Sequence, residues 1–128
     1  MPTAHWLLHN DRPVIEIELS TSGGGDVVRS LVADTGTRQS VFQLILHEND
    51  CHQTGAILIG HVQLGGAYSG SFPVYLFQVR ISQLSFDDPI PVVAVSQVPA
   101  GFDGIAGFKF LNRFRYGNFG NPDSFGLE

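Results

Sequence analysis

Apolar and polar residues alternate in the first part of the chain, over PVIEIELS (residues 13–20). An alternation with a period of two is typical of a half-buried β-strand. The flexible stretch TSGGGD follows, and VVRSLVA (residues 27–33) has the composition of an antiparallel partner. The pattern therefore predicts a β-hairpin whose second strand ends at residue 33.

Two more strand-like segments, AILIGHVQL (residues 56–64) and SFPVYLFQVRI (residues 71–81), flank the glycine-rich stretch GGAYSG (residues 65–70). They predict a long hairpin with a glycine-rich tip. PIPVVAVSQV (residues 89–98) predicts another strand, with its prolines at the start, where a missing N–H is tolerated. The segment QLILHENDCHQTG (residues 43–55) leaves helix and strand both open.

The period changes after Gly107, where Phe108, Phe110, Leu111 and Phe114 recur at helical spacing. A short helix is predicted over residues 108–114. Three cations are expected towards its end, where they suit the helix dipole; they are Lys109, Arg113 and Arg115. The remaining RYGNFGNPDSFGLE is turn-rich, and either a final strand or a loose end fits it. The elements together predict an all-β, barrel-like fold with one short C-terminal helix.

Composition supports a single globular domain over residues 1–128, since 43% of the residues are hydrophobic and only 15% are charged. The net charge of -5, without a basic run, argues against a nucleic-acid or anionic-membrane partner. The sequence shows neither a secretion signal nor a window of membrane-spanning length. Cys51 is the single cysteine, which suits a reducing compartment. The expected location is the cytoplasm.

The candidate for chemistry is Asp34, which follows the apolar run at residues 31–33 and precedes Thr35 and Gly36. A carboxylate prefers water, so its place at the end of a strand that is expected to be buried needs an explanation. One explanation is structural, because Asp-Thr-Gly is good turn chemistry and an Asx-turn could close a hairpin here. The other is catalytic.

The order of three features bears on that choice. An apolar strand ending in Asp34-Thr35-Gly36 comes first, then the glycine-tipped hairpin, and then Ile105-Ala106-Gly107 before the predicted helix. An apolar pair, Val41-Phe42, follows the first motif. This order, over residues 13–114, resembles the retropepsin-like aspartic proteases, single-domain relatives of pepsin, with the bacterial soluble members closer than the viral ones. The resemblance implies a closed acid-protease-like barrel in which Ile105 and Gly107 support the site.

The resemblance also implies an aspartic endopeptidase that hydrolyses a polypeptide substrate without a metal or cofactor. Acid–base hydrolysis of this kind needs one carboxylate to take a proton from water and another to donate one. This chain carries one Asp-Thr-Gly motif. The second carboxylate is therefore expected from Asp34 of another copy, in a symmetric homodimer.

The neighbours of Asp34 take roles from the resemblance. Thr35 is expected to hydrogen-bond across the dimer axis, and Gly36 to let the substrate backbone approach. Thr37 is expected to donate to the outer carboxylate oxygen, which would lower the pKa values of the pair and favour an acidic optimum. The alternative is a Thr37 hydroxyl that satisfies only local backbone.

The hairpin tip, residues 65–70, is expected to be a flap over the substrate, with Gly65, Gly66, Ala67 and Tyr68 as binding residues. Glycines would let it open and reclose. Tyr68 resembles the flap tyrosine of pepsin-like enzymes, although an exposed loop tyrosine is an alternative. HENDCHQTGA (residues 47–56) is the second-ranked flap.

Two departures from the family keep a different class of function open. Arg38 replaces an acidic residue of several viral enzymes, and Phe108-Lys109 stands where they place an Arg-Asn pair. The alternative to an active protease is a catalytically weak or inactive barrel of the same fold, which serves as a dimerisation or peptide-binding module.

The segment HENDCH gathers five potential metal ligands within six positions. These are His47, Glu48, Asp50, Cys51 and His52. Zinc sites normally add a second ligand pair at recognised spacing, and none is visible. A polar loop is the favoured interpretation.

Overall fold

The computed structural model describes residues 2–37, 42–66 and 68–128. In these residues the chain forms ten strands, two short α-helices and one 3₁₀ turn. In chain order the elements are β1 (Ala4–Leu7), β2 (Val14–Ser20), β3 (Asp26–Asp34), β4 (Leu44–His47), α1 (Glu48–Thr54), β5 (Ile57–Leu64), β6 (Gly70–Ile81), the 3₁₀ turn (Ser82–Leu84), β7 (Phe86–Val95), β8 (Gly104–Gly107), α2 (Phe108–Leu111), β9 (Tyr116–Gly117) and β10 (Ser124–Leu127).

Seven strands form one sheet in the order β2-β3-β8-β4-β7-β6-β5, and an additional pairing of β2 with β6 closes six of them into a barrel. The predicted all-β barrel with a short helix is therefore confirmed. Closure leaves β5 outside the ring, paired with β6 alone. The interior is filled by aliphatic side chains that are completely shielded from solvent, among them Ile15, Ile17, Leu31 and Ile45.

Both predicted hairpins form. Strands β2 and β3 pair antiparallel from Val14↔Val32 to Ser20↔Asp26, and the aliphatic face of β2 points into the core while its glutamates do not. Strands β5 and β6 pair from Ile57↔Leu76 to Leu64↔Gly70, with a bulge near Gly60. Alternation succeeded for β2 because one face of that strand is buried in the barrel.

The strand that was predicted over residues 89–98 begins earlier and ends earlier. It spans Phe86–Val95, so Pro89 and Pro91 lie inside it rather than at its start. They are tolerated because β7 pairs with β6 along this part, whereas β4 joins its other edge only from Val92 onwards. A proline needs no partner for its nitrogen where one strand edge is unpaired.

The open segment 43–55 contains both a strand and a helix. Strand β4 runs into α1, where the imidazole of His47 accepts a hydrogen bond from Asn49 N at 3.0 Å and caps the helix. The helix ends at Gly55, which adopts φ +68°, a conformation that glycine adopts without strain. Asp50 and Cys51 are buried on its inner side.

The C-terminal helix is shorter than predicted. It ends at Leu111 and not at residue 114, so Arg113 and Arg115 lie beyond it and only Lys109 is on the helix. Phe110 and Phe114 nevertheless pack with Phe86 in an aromatic cluster, with ring centroids 5.4–5.8 Å apart. The helical spacing of the phenylalanines thus indicated a buried turn of chain more than an extended helix.

The two ends of the chain meet in a separate three-stranded sheet with the order β1-β10-β9. Strand β1 pairs with β10 from Ala4↔Leu127 to Leu7↔Ser124. The turn-rich tail therefore ends in a strand, and the first strand has no counterpart among the predicted elements. Neither end shows a long alternation, so pattern alone could not find this sheet.

Within the described ranges, no helix has the length and apolar character required to cross a lipid bilayer.

Strand β8 lies between β3 and β4, parallel to β3 and antiparallel to β4. The backbones approach so closely that a Cβ added to Gly104 would lie 2.0 Å from the Ile45 carbonyl oxygen. We expect Gly104→Ala to destabilise the fold by about 3 kcal/mol, because rigid backbone on the neighbouring strand must move.

Gly23→Ala is the matched control, since its Cβ would meet only the Thr21 hydroxyl, at 4.0 Å. Its free energy of unfolding should stay within about 0.5 kcal/mol of wild type. Urea unfolding of the three proteins measures both changes. Equal stability of Gly104→Ala and wild type would contradict this description of the β8 insertion.

Candidate functional site

Asp34 is the last residue of β3, and its backbone is paired in parallel with Gly107 at the end of β8. The three residues before it are buried, whereas Asp34 itself is half-buried and Thr35 and Gly36 are exposed. The strand therefore delivers a carboxylate from the core to the point where the chain reaches solvent. This answers why an apolar strand ends in an acidic residue, because the carboxylate itself is not in the core.

The turn after β3 is held by the carboxylate. Gly36 N donates to Asp34 Oδ1 at 2.9 Å, which is an Asx-turn. A Cβ on Gly36 would lie 3.2 Å from the same oxygen, so glycine keeps the space beside the carboxylate free. The turn does not close a hairpin, however, because β8 separates β3 from β4. The structural alternative is thus right about the turn and wrong about the hairpin.

Thr37 connects the two motifs of the chain. Its Oγ1 accepts a hydrogen bond from Phe108 N at 2.7 Å and donates to the Asp34 main-chain oxygen at 3.4 Å. The hydroxyl proton therefore goes to backbone and not to the carboxylate, which is the alternative considered for Thr37 above. What the hydroxyl stabilises is the position of the turn relative to the start of α2.

Gly107 is surrounded at close range. An added Cβ would lie 2.9 Å from Cε2 of Phe42 and 3.0 Å from Thr37 Oγ1. Gly107 N also donates to the Gln43 carbonyl oxygen at 2.8 Å. Ile105, two residues earlier, is buried in the core. Both predicted support residues thus pack beneath the turn, while Val41 and Arg38 lie outside the described residues.

The carboxylate of Asp34 has few interaction partners among the described residues of its own chain. Among the described residues it forms no ion pair, and the Gly36 amide is the single hydrogen-bond donor to it. Thr35 is exposed, and its hydroxyl makes no hydrogen bond with a described residue. The site as one chain builds it is therefore one carboxylate and one free hydroxyl on an open turn.

The hairpin tip at residues 65–70 leans on the segment that joins β7 to β8, residues 96–103. Tyr68 Oη donates to the Gln97 carbonyl oxygen at 3.0 Å, and its ring packs edge-on against Phe72. Tyr68 is half-buried, which raises the pKa of its phenol and overturns the alternative of an exposed tyrosine. Gly65 is exposed and Gly66 adopts φ +70°. Ala67 lies outside the described residues.

The same connecting segment is held from its other side. His9 Nε2 bonds to the Gly101 carbonyl oxygen at 3.0 Å, and the Arg12 guanidinium lies 5.5 Å from the centroid of Phe102. The segment thus links the β1–β2 turn to the hairpin tip.

The second-ranked flap, residues 47–56, is wrong. Those residues form α1 and its ends, and HENDCH is therefore a helix rather than a polar loop. Asp50 pairs with Arg29 at 2.9 Å, with both side chains mostly shielded from solvent. Cys51 is 2% exposed, and burial is the main cause that raises the pKa of its thiol to about 12. Asp50, through its ion pair, and Cys51, through its burial, therefore contribute to the packing of the fold.

A cavity of about 180 Å³ is lined by Phe42, which also approaches Gly107, and by residues that the sequence did not single out as binding residues. It is called the Lys109 cavity below. Its lining comes from five separate parts of the chain, namely Phe42 and Gln43, Val62, Val74, Pro91 and Val93, and Lys109. No sequence signal indicated it, because the lining depends on long-range strand pairing.

Thr37→Val should destabilise the chain by about 1–2 kcal/mol, because the Phe108 amide loses its acceptor while the side-chain shape is kept. Thr37→Ser retains the hydroxyl and should remain within about 0.5 kcal/mol of wild type. Thermal and urea unfolding of the three proteins give these differences. Valine and serine variants of equal stability would show that the bond to Phe108 contributes nothing.

The Cys51 thiol should react with alkylating reagents at pH 8 on the order of a thousandfold more slowly in the native chain than in urea, because a pKa of about 12 leaves almost no thiolate. Since the folded pKa is raised, the thiol favours the folded state at neutral pH, and that contribution declines as pH climbs from about 8.5 towards 12. Stopped-time alkylation followed by mass spectrometry measures the ratio. Similar rates in both states would contradict the burial of Cys51.

Comparison with known proteins found no match: no family model, no curated protein and no solved structure is significantly similar to the chain. The features that bear on function are therefore the turn at residues 34–37, the strands that hold it and the Lys109 cavity.

Proposed function

We propose that the protein is an aspartic endopeptidase, active as a homodimer in which Asp34 of each chain forms one half of the catalytic pair. The observation that carries this proposal is the half-buried carboxylate of Asp34, which ends a buried strand on a rigidly held turn and has no acidic or basic partner among the described residues of its own chain. The resemblance of the sequence to retropepsin-like proteases supports it.

The chemistry requires two carboxyl groups that share a proton. One carboxylate takes a proton from a water molecule as the water attacks the peptide carbonyl carbon, and the other carboxyl group protonates the carbonyl oxygen. The carboxyl group that took the water proton then donates it to the amide nitrogen, the other carboxylate takes a proton back from a hydroxyl of the tetrahedral intermediate, and the C–N bond breaks to release the amine and a new carboxyl group. Two carboxyl groups at short distance cannot both be ionised, so they supply one acid and one base at the same pH.

A second copy of the chain is the simplest source of the missing carboxylate. A two-fold axis beside the turn would bring the two Asp34 side chains together, because a residue near such an axis meets its own counterpart. The exposed Thr35 hydroxyl, which has no partner among the described residues, would be free to bond to the facing turn. Gly36 would leave room for the counterpart and for the substrate.

The substrate is proposed to be a polypeptide that binds in an extended conformation. An extended peptide can pair with exposed backbone as an added strand. The β5–β6 hairpin would cover it as the flap, with Tyr68 and the glycines of the tip as contacts. Among the described residues of the tip, one hydrogen bond, from Tyr68 Oη to the Gln97 carbonyl oxygen, joins it to residues 96–103, so it can part from them at modest cost.

We also propose a cytoplasmic location, since the single cysteine is buried and unpaired and suits a reducing compartment. The proposed mechanism uses no metal ion and no organic cofactor.

The test is cleavage of a diverse peptide pool between pH 3.5 and pH 7.5, at roughly one-unit steps, by wild type and Asp34→Asn. Asparagine keeps the size of the side chain and an oxygen for the Gly36 amide, so the fold should persist and the unfolding midpoint should stay close to wild type. Cleavage should fall by at least about a thousandfold, because the pair loses its acid–base group. Mass spectrometry of the products gives the ratio.

Mixing the two proteins tests the dimer. Excess Asp34→Asn should suppress wild-type cleavage beyond simple dilution, because mixed dimers hold one functional carboxylate, and the specific rate of wild type should rise with its concentration. Equal cleavage by both proteins would refute the proposal. Peptide binding without cleavage by wild type at every pH would identify a peptide-binding module instead.

A further inference from the structure

Lys109 differs from the other described cationic side chains in its interaction partners. Arg29, Arg80 and Arg115 each pair with a carboxylate. Arg12 lies over an aromatic ring, and Arg113 donates to the Gln43 side chain. Among the described lysines and arginines, Lys109 alone has neither an ion pair, nor a ring, nor a hydrogen bond from its side chain. In a chain with 12 acidic and 7 basic residues, a cation without a partner is notable.

Lys109 lies close in the chain to the backbone partner of Asp34 and lines the Lys109 cavity. It is the second residue after Gly107, and Gly107 is the backbone partner of Asp34. Its side chain contributes to the Lys109 cavity, whose other walls are mostly apolar. Lys109 is itself exposed, so its ammonium can reach an anion that enters the cavity from solvent.

A second donor lies in the same cavity. Gln43 is 9% exposed, and its Oε1 accepts from Arg113 Nε at 2.8 Å. The amide NH₂ of Gln43 is then left as a donor, and it makes no hydrogen bond with a described residue. Arg113 also brings a second positive charge close to the cavity, and it forms no ion pair with a described carboxylate.

The apolar walls define the rest of the ligand. Val62 and Val74 come from the β5–β6 hairpin, Pro91 and Val93 from β7, and Phe42 precedes β4. The cavity of about 180 Å³ has room for about six water molecules at about 30 Å³ each, which is the scale of one medium side chain. Such a space suits a short methylene stem with a carboxylate at its end.

We infer that the Lys109 cavity is a specificity subsite that selects a glutamate side chain of the substrate, an inference that rests on the proposed function. The glutamate methylenes contact the valines and Phe42, and its carboxylate binds the Lys109 ammonium and the Gln43 amide. The protease therefore prefers sites with a glutamate close to the scissile bond. Every group that makes this selection belongs to one chain, so the cavity does not depend on the dimer.

The experiment uses peptides with Glu, Gln, Leu or Lys at each position around one cleavage site, and measures kcat/KM for wild type, Lys109→Glu and Arg12→Glu. Wild type should prefer Glu to Gln by about tenfold at one position, as expected for a hydrogen-bonded charge. Lys109→Glu should reverse the order of Glu and Lys there. Arg12→Glu makes the same change of charge on the β1–β2 turn and should keep the wild-type order.

Binding of the same peptides to Asp34→Asn, measured by fluorescence anisotropy, separates this inference from the proposed function. A preference for Glu that Lys109→Glu abolishes supports the subsite even if wild type cleaves nothing. Cleavage by wild type with no preference between Glu and Gln, or a preference that Lys109→Glu leaves unchanged, would overturn the subsite while the protease stands. Absence of binding by every peptide would also overturn it.

Discussion

The close insertion of β8 between β3 and β4 is the constraint on which the rest of the barrel depends. The three backbones can approach because Gly104 has no side chain where the Ile45 carbonyl oxygen passes. Strand β8 pairs with both neighbours, parallel on one side and antiparallel on the other, so it joins the early hairpin to the later strands. Without it, β3 and β4 would share no neighbour, and the closed ring would open at that point.

The same insertion of β8 sets the position of the candidate site. Backbone pairing fixes Asp34 beside Gly107, and the Thr37 hydroxyl fixes the turn against the start of α2. Gly107 is packed so closely against Phe42 and Thr37 that a side chain at this position would displace them. Among the described residues, the Gly36 amide is the one hydrogen-bond donor to the Asp34 carboxylate, and this bond also holds the turn. The carboxylate is therefore held in place by its strand and its turn.

Local patterns in the sequence predicted most of the barrel and the turn that carries Asp34. Alternation found β2 because that strand buries one face, strand-like segments indicated β5 and β6, and the Asp-Thr-Gly motif located the turn. Features set by distant pairing were not predictable. The burial of Asp50 needs Arg29 from another strand, the prolines within β7 need an edge that β4 leaves open, and the cavity around Lys109 gathers segments far apart in the chain.

The pairing of Ala4 with Leu127 brings the two ends of the described chain together, which affects how the strands could be connected. The two ends of the described chain are neighbours in one sheet, about 5 Å apart as paired strands are. A short peptide could join them, and the chain could be opened instead at the Gly23–Gly25 turn between β2 and β3, without breaking a strand pair. The barrel is thus compatible with circular permutation, and equally with insertion into a loop of a larger protein.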